Sequence, residues 1–254
     1  MFKMGLWTKM HVVTVIPTFI IMAICAALVG CLMKNRSDKA KYKVLGIIAI
    51  LLLVLEVIKQ ILSFEDGEYN TYSLPFHYCS LFLYLLPLHS LYHGKHKNVI
   101  DVACFGTLAS LFFFMLVMPN IVYSDAAIMD FMGSYSSFHT VTFHMLVVFY
   151  FFLTVAFGFY SFDTKRDLKI MAVFLAIYVI IATVLSHTLK VNFHNLYKCN
   201  VSFVEDIRLA MIEKIGWVAQ AIYVSALFVL TILFAYAAYF TVKFLISLVK
   251  RKRI

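Results

Sequence analysis

The sequence predicts an all-α polytopic membrane protein, a single seven-transmembrane-helix bundle over 1–254 with its N-terminus outside and its C-terminus cytoplasmic. Three observations carry that expectation. Of 254 residues, 63% are hydrophobic and 14% charged, with a mean hydropathy of +0.90; a soluble domain carries roughly half apolar and a quarter charged residues. The excess falls in seven apolar runs, 12–33, 44–64, 74–92, 99–118, 138–160, 168–190 and 217–246, each near the roughly 20 residues that cross a bilayer. The segments between them alternate in charge. The net charge of +9 therefore concerns topology and anionic lipid. Nucleic acid is excluded as a partner, because no segment is long enough to fold into a domain with a basic face.

The first run follows MFKMGLWTKMHVV and ends at Lys34 and Arg36 without a small-residue cleavage site, so it reads as a retained helix. The loop after it carries Lys34, Arg36, Lys39, Lys41 and Lys43. The second run ends on Glu65, Asp66 and Glu68; the third is followed by Lys95 and Lys97; the fourth leads into 119–137, with Asp125 and Asp130. Lys165, Arg166 and Lys169 follow the fifth run, and the tail ends in Lys250, Arg251, Lys252 and Arg253. Basic loops stay in the cytoplasm, which sets the orientation; Lys198, Arg208 and Lys214 in 191–216 weaken the pattern slightly. Of five cysteines, only Cys199 lies in a loop, so no disulfide framework is expected. Cys25, Cys31 and Cys104 read as small packing residues.

At about 1.5 Å per helical residue, polar side chains collect in a shallow band under the outer surface. Glu56, Lys59 and Gln60 lie in the outer half of the second run, and His77, Cys79 and Ser80 follow Pro75 at the start of the third. His139 and His144 open the fifth, His187 closes the sixth ahead of Asn192 and His194, and Gln220 opens the seventh. The inner half is expected to hold no comparable collection. That asymmetry points to a site at the outer end.

Glu56, Lys59 and Gln60 share one helix face by their i, i+3, i+4 spacing. An unpaired charge at a helix centre costs roughly 2.5–3.5 kcal/mol, so the pair either neutralises itself or positions a histidine or lipid head group. His77 and Cys79 point about 200° apart on a regular helix. Both line one cavity only if the third helix is central or its first turn is distorted near Pro75. His77, Ser80 and Tyr84 share a face. His139 and His144 are five apart, not the i, i+4 spacing with which two histidines grip zinc, so no metal and no cofactor is expected. His144, level with Cys79 and on the face of Thr140, is the better candidate base; His139 lies nearer the water.

PFHYCSL in the third run, SSFHTVTFH opening the fifth, and Asn192-Phe193 after the sixth resemble the YwaF-type bacterial integral membrane proteins over nearly the whole chain. That family is related to the animal transmembrane protein 164, an acyltransferase acting on ether lysophospholipids, and more distantly to membrane hydrolases of fatty-acid esters of hydroxy fatty acids. The family's cysteine stands in a Pro-x-His-x-Cys motif, matched by Pro75, His77 and Cys79. The resemblance implies a second-helix acid at Glu56 and a fifth-helix histidine at His144, and a bacterial plasma-membrane location.

The function expected is a lipid acyltransferase or transacylase working near the outer leaflet through an acyl-thioester. Cys79, His77 and His144 are its catalytic candidates; Glu56, Lys59, Ser80, His139, Asn192 and Gln220 are its substrate-binding candidates. A thiolate is a strong nucleophile and a nearby histidine can generate it. Membrane lipids are the expected partners. A lipid hydrolase and a non-catalytic lipid-binding or partner-stabilising protein stay open. A transporter would continue its polar residues through the midplane on broken helices, which the band does not.

Overall fold

The computed structural model describes residues 7–67, 69–122 and 124–251. Glu68 and the tail residues Lys252 and Arg253 lie outside the described residues, as do the side chains of Lys250 and Arg251. The regular elements among the described residues are all helices, with no strand, and six are long and apolar enough to cross a membrane. These are α1 (Lys9–Leu32), α2 (Asp38–Glu65), α4 (Lys97–Val117), α7 (Tyr135–Phe157), α8 (Thr164–Leu189) and α10 (Trp217–Arg251). A shorter α3 (Phe82–Leu91) stands between α2 and α4.

Local chemistry sets the ends. Ser37, Ser134 and Asp163 cap α2, α7 and α8 by accepting from backbone N–H groups three residues on, which satisfies donors that lack an intrahelical partner. Gly158 ends α7 at φ +71°, a left-handed conformation that costs glycine little. The segment 119–137, expected as a loop, contains two short helices, α5 (Pro119–Val122) and α6 (Asp125–Met129). The segment 191–216, also expected as a loop, folds into α9 (Ser202–Ile215), which packs on α10.

Helices α4 and α7 form the centre. Each is buried over more than half of its apolar length, against a third or less in the other four long helices. Helices α1 and α2 pack on α7, α3 lies against α2 and α4, and α8 and α10 close the α4 side. Close approach depends on small residues, which let backbones approach where lipid supplies no hydrophobic drive. A Cβ at Gly106 in α4 would press on Met171 of α8, and one at Gly30 in α1 would meet Ala156 of α7.

The third run departs most from a regular helix. Leu74 and His77 are extended, Tyr78–Leu81 forms a 3-10 turn, and only then does α3 begin. Proline disfavours helical geometry in the residue before it, and tertiary partners take the carbonyls a longer helix would use. Gln60 Nε2 donates to Ser73 O at 2.7 Å, Tyr84 Oη to Pro75 O at 3.4 Å and Tyr178 Oη to Phe76 O at 3.3 Å.

The end of the bundle opposite Glu56 and His77 corrects an expectation. It holds two polar clusters built around buried His89 and Asp167, although no comparable collection was expected there. In the first, His89 Nδ1 lies 2.7 Å from Tyr150 Oη and His89 Nε2 lies 3.5 Å from Asp101. Lys97 pairs with Asp101, donates to His89 O at 2.6 Å and sits over the Tyr42 ring. In the second, the fully buried Asp167 accepts from Tyr160, Tyr239, Arg166 and the Asp163 N–H. Asp101, Asp167 and Lys97 stand close to loops in sequence, so only the packing of several helices reveals Asp167 as buried and the other two as half-buried. Tyr150→Phe should destabilise the protein by about 1–3 kcal/mol by leaving His89 Nδ1 unpaired, measured by thermal unfolding in detergent; an unchanged Tm would mean that water replaces the hydroxyl.

Candidate functional site

The C-terminal end of α2 supplies the charges. Lys59 Nζ lies 2.7 Å from Glu56 Oε1, and Gln60 Nε2 donates to the same oxygen at 2.5 Å. Helix α7 brings a third partner, His139, whose Nε2 is 3.0 Å from Glu56 Oε2. This is an ion-pair contact whose N–H is not aligned as a hydrogen bond. Tyr135 at the start of α7 donates to Leu55 O at 2.9 Å, which locks the two helices in register beside the carboxylate. Glu56 is 8% exposed and His139 6%. The acid is thus a buried hub shared by two helices.

The extended stretch before α3 carries the motif residues across this hub. His77 Nε2 is 3.2 Å from Tyr72 O, and the His77 ring packs at 4.4 Å on Tyr72 and 5.0 Å on Phe193. When Nε2 donates to that carbonyl, the lone pair of neutral His77 is on Nδ1. Cys79 is half-buried in the 3-10 turn and within electrostatic reach of Lys59, Glu56 and Tyr178, with Ser80 beside it. In the irregular turn His77 and Cys79 are both within electrostatic reach of the Glu56–Lys59 pair, where a regular helix would turn them apart.

His144 is buried on α7, and its Nδ1 lies 2.6 Å from Thr140 O. That contact assigns the proton of the neutral ring to Nδ1 and the lone pair to Nε2, the arrangement a base requires. His144 is also within electrostatic reach of His139 and Lys59. Glu56, Lys59, Gln60 and His139 are thus in direct contact, and His77, Cys79 and His144 each lie within electrostatic reach of Lys59.

Two of the expected binding residues stand apart. Asn192 Oδ1 accepts from the Tyr197 and Lys198 N–H groups, and its amide nitrogen donates to Asn195 and Asn200. Gln220 accepts from Arg208 Nη1 at 2.6 Å and donates to Leu196 O at 2.9 Å. Both side chains are consumed in shaping 191–216. Arg208 there forks onto Glu205 and holds its carboxyl below the usual range.

His194 is the neighbour that spacing alone does not assign to the site. It stacks 5.2 Å from Tyr78 and lies within electrostatic reach of His77. Burial, with His77 opposing a second positive charge, holds its imidazole down at about 4, so it is neutral at pH 7. Tyr72, Tyr135 and Tyr178 carry no motif; Tyr135 and Tyr178 enter by donating a hydroxyl from a distant segment, and Tyr72 offers its carbonyl from five residues before His77. Among the described residues, no three His, Cys, Asp or Glu side chains come together to hold a metal ion.

Comparison with curated proteins and with solved structures returns no match. The family model described as the TMEM164 family matches residues 6–238, which takes in every helix described above except the last turns of α10 and includes all the candidate residues. This multi-pass membrane protein belongs to the TMEM164 family.

Proposed function

We propose that the protein transfers fatty acyl groups between membrane lipids, with Cys79 as nucleophile and His144 as its base. The observation that carries this reading is the placement of a half-buried thiol in the first turn leading into α3, beside a Glu56–Lys59–His139 hub. His144 Nε2 takes the thiol proton, and Sγ attacks the ester carbonyl of a donor lipid. The carbon–oxygen ester bond breaks, and the departing alkoxide receives the proton from His144, leaving an acyl-thioester. An acceptor hydroxyl then gives its proton to His144, attacks the thioester and regenerates the thiol. Splitting the transfer lowers each barrier. His77, tethered through Nε2, holds the turn and faces the donor; Lys59 offers its charge to a phosphate or a developing oxyanion. With water as acceptor the same steps give a lipid hydrolase. A non-catalytic lipid-binding role predicts no thioester.

Wild-type protein incubated with phospholipid in nanodiscs should gain the mass of one acyl chain, removable by neutral hydroxylamine. Absence of any adduct, with no turnover of lipid, overturns the reading. The base is tested by His144→Gln and His77→Gln: loss of the base should slow adduct formation about 10²–10⁴-fold, and loss of the other histidine far less.

The reading includes seven crossings, with the site end outside. Tyr42 at the start of α2 meets Lys97 at the start of α4, whereas Glu56 near the end of α2 meets the 72–79 stretch. The chain from 66 to 96 therefore runs from one end of the bundle to the other. Fourteen residues of apolar helix, Tyr78–Leu91, span about 21 Å, and the bent stretch 74–77 before them lengthens the segment toward the roughly 30 Å of a hydrocarbon core. Loop charge then places the N-terminus outside and the C-terminus inside, in the bacterial plasma membrane by the resemblance noted above. Cysteine labelling from outside intact cells should reach Asn70→Cys and not Asp163→Cys; the reverse would move the site to the cytoplasmic leaflet.

A further inference from the structure

We propose that the cleft between the start of the third segment and α8 is the seat of a single acyl chain of a membrane phospholipid, threaded toward Cys79. The cleft holds about 190 Å³. Phe76, Leu81 and Tyr84 form one wall, and Ile177, Tyr178 and Ile181 of α8 form the other, with Ala182 at its floor. No charged side chain lines it.

Its opening and size select the occupant. Tyr84, Ile177 and Ile181 at the rim are about half exposed on the apolar face of two helices, so hydrocarbon fills the mouth and water does not. The space is small, about 190 Å³. That accommodates several methylenes of one chain and excludes a helix, which is about 10 Å across with its side chains.

Its walls point at the thiol. Phe76 and Leu81 flank His77 and Cys79 in sequence, so the backbone that forms one wall also carries the nucleophile. Tyr178 ties the other wall to it by donating to Phe76 O at 3.3 Å, and lies within electrostatic reach of Cys79. A chain lying in the cleft has its carboxyl end at the hub of Glu56 and Lys59. Only that last placement rests on the acyl-transfer reading; the chain seat stands without it.

The test uses full-length protein in nanodiscs containing a phosphatidylcholine with a diazirine in one acyl chain. After irradiation, label should concentrate on peptides covering 174–182 and 76–84. Ile177→Trp, at an exposed position that tolerates bulk, and Ala182→Phe, which fills the floor, should each lower that label about tenfold. Label spread evenly over the exposed faces of α1, α8 and α10, or undiminished in Ile177→Trp, overturns the chain seat. A free diazirine fatty acid that labels these peptides equally well at the same concentration overturns the assignment to a phospholipid chain. Cys79→Ala should keep the label. Label in the cleft without an acyl adduct on wild-type protein would support the seat and sink the acyl-transfer reading; an adduct with label elsewhere would do the opposite.

Discussion

Replacing Cys79 by alanine is expected to remove the acyl adduct and to lower lipid remodelling by about 10³-fold or more, the scale on which loss of a nucleophile acts in enzymes with a covalent intermediate. The physical case has two sides. A thiolate in an apolar span is expensive, since burying an unpaired charge is opposed strongly, so an isolated Cys79 would be inert. The turn leading into α3 and the Lys59 ammonium, kept near by Glu56, oppose that cost because positive potential at a helix start favours an anion. A histidine taking the proton in the same step avoids a standing charge altogether. Three other cysteines provide controls: Cys25 and Cys31 are exposed on α1, and Cys104 is fully buried on α4. Their alanine variants should keep the hydroxylamine-sensitive adduct. Should Cys79→Ala retain full remodelling activity, the thiol is packing, and the nucleophile is Ser80 or water.

The second large effect is expected at Glu56. Glu56→Ala strands Lys59 and His139 and leaves Gln60 only Ser73 O, all three now served by one carboxylate. Removing one partner of a buried pair costs about 3–5 kcal/mol, which for a chain of this size corresponds to a fall in Tm on the order of 10 °C. Glu56→Gln keeps the shape and part of the hydrogen bonding, and should lose less. The double variant Glu56→Leu/Lys59→Met separates architecture from chemistry. Replacing a buried pair by apolar residues is often neutral or stabilising, so Tm should recover. If the pair only staples α2 to α7, acyl transfer recovers with it; if the pair orients the lipid and the thiol, activity stays low in a stable protein. Thermal unfolding and adduct formation measured on the same preparations decide between the two.

Much of this protein is legible without coordinates. Apolar runs of bilayer length specify helices, because in lipid each backbone polar group must be satisfied within its own segment. The i, i+3, i+4 spacing of Glu56, Lys59 and Gln60 placed them on one face, and they do bond to one another. The short motif around Pro75, His77 and Cys79 marked the stretch that reaches that face.

Other features depend on the fold. The sequence treats 74–92 as one helix, and its period would turn His77 away from Cys79. Side chains from α2, α3 and α8 capture the carbonyls of 72–76 and hold the turn irregular. Asn192 and Gln220 share the depth of the site, but depth says nothing about azimuth, and their bonds run into 191–216 instead. Nothing in the spacing of His89 and Asp167 marks them as buried; packing around α4 and α7 buries both. Periodicity along one chain determines which residues share a helix face, because that depends only on local geometry. Which faces meet depends on small residues such as Gly106 and on hydrogen bonds between segments up to about a hundred residues apart, and only the tertiary structure decides that.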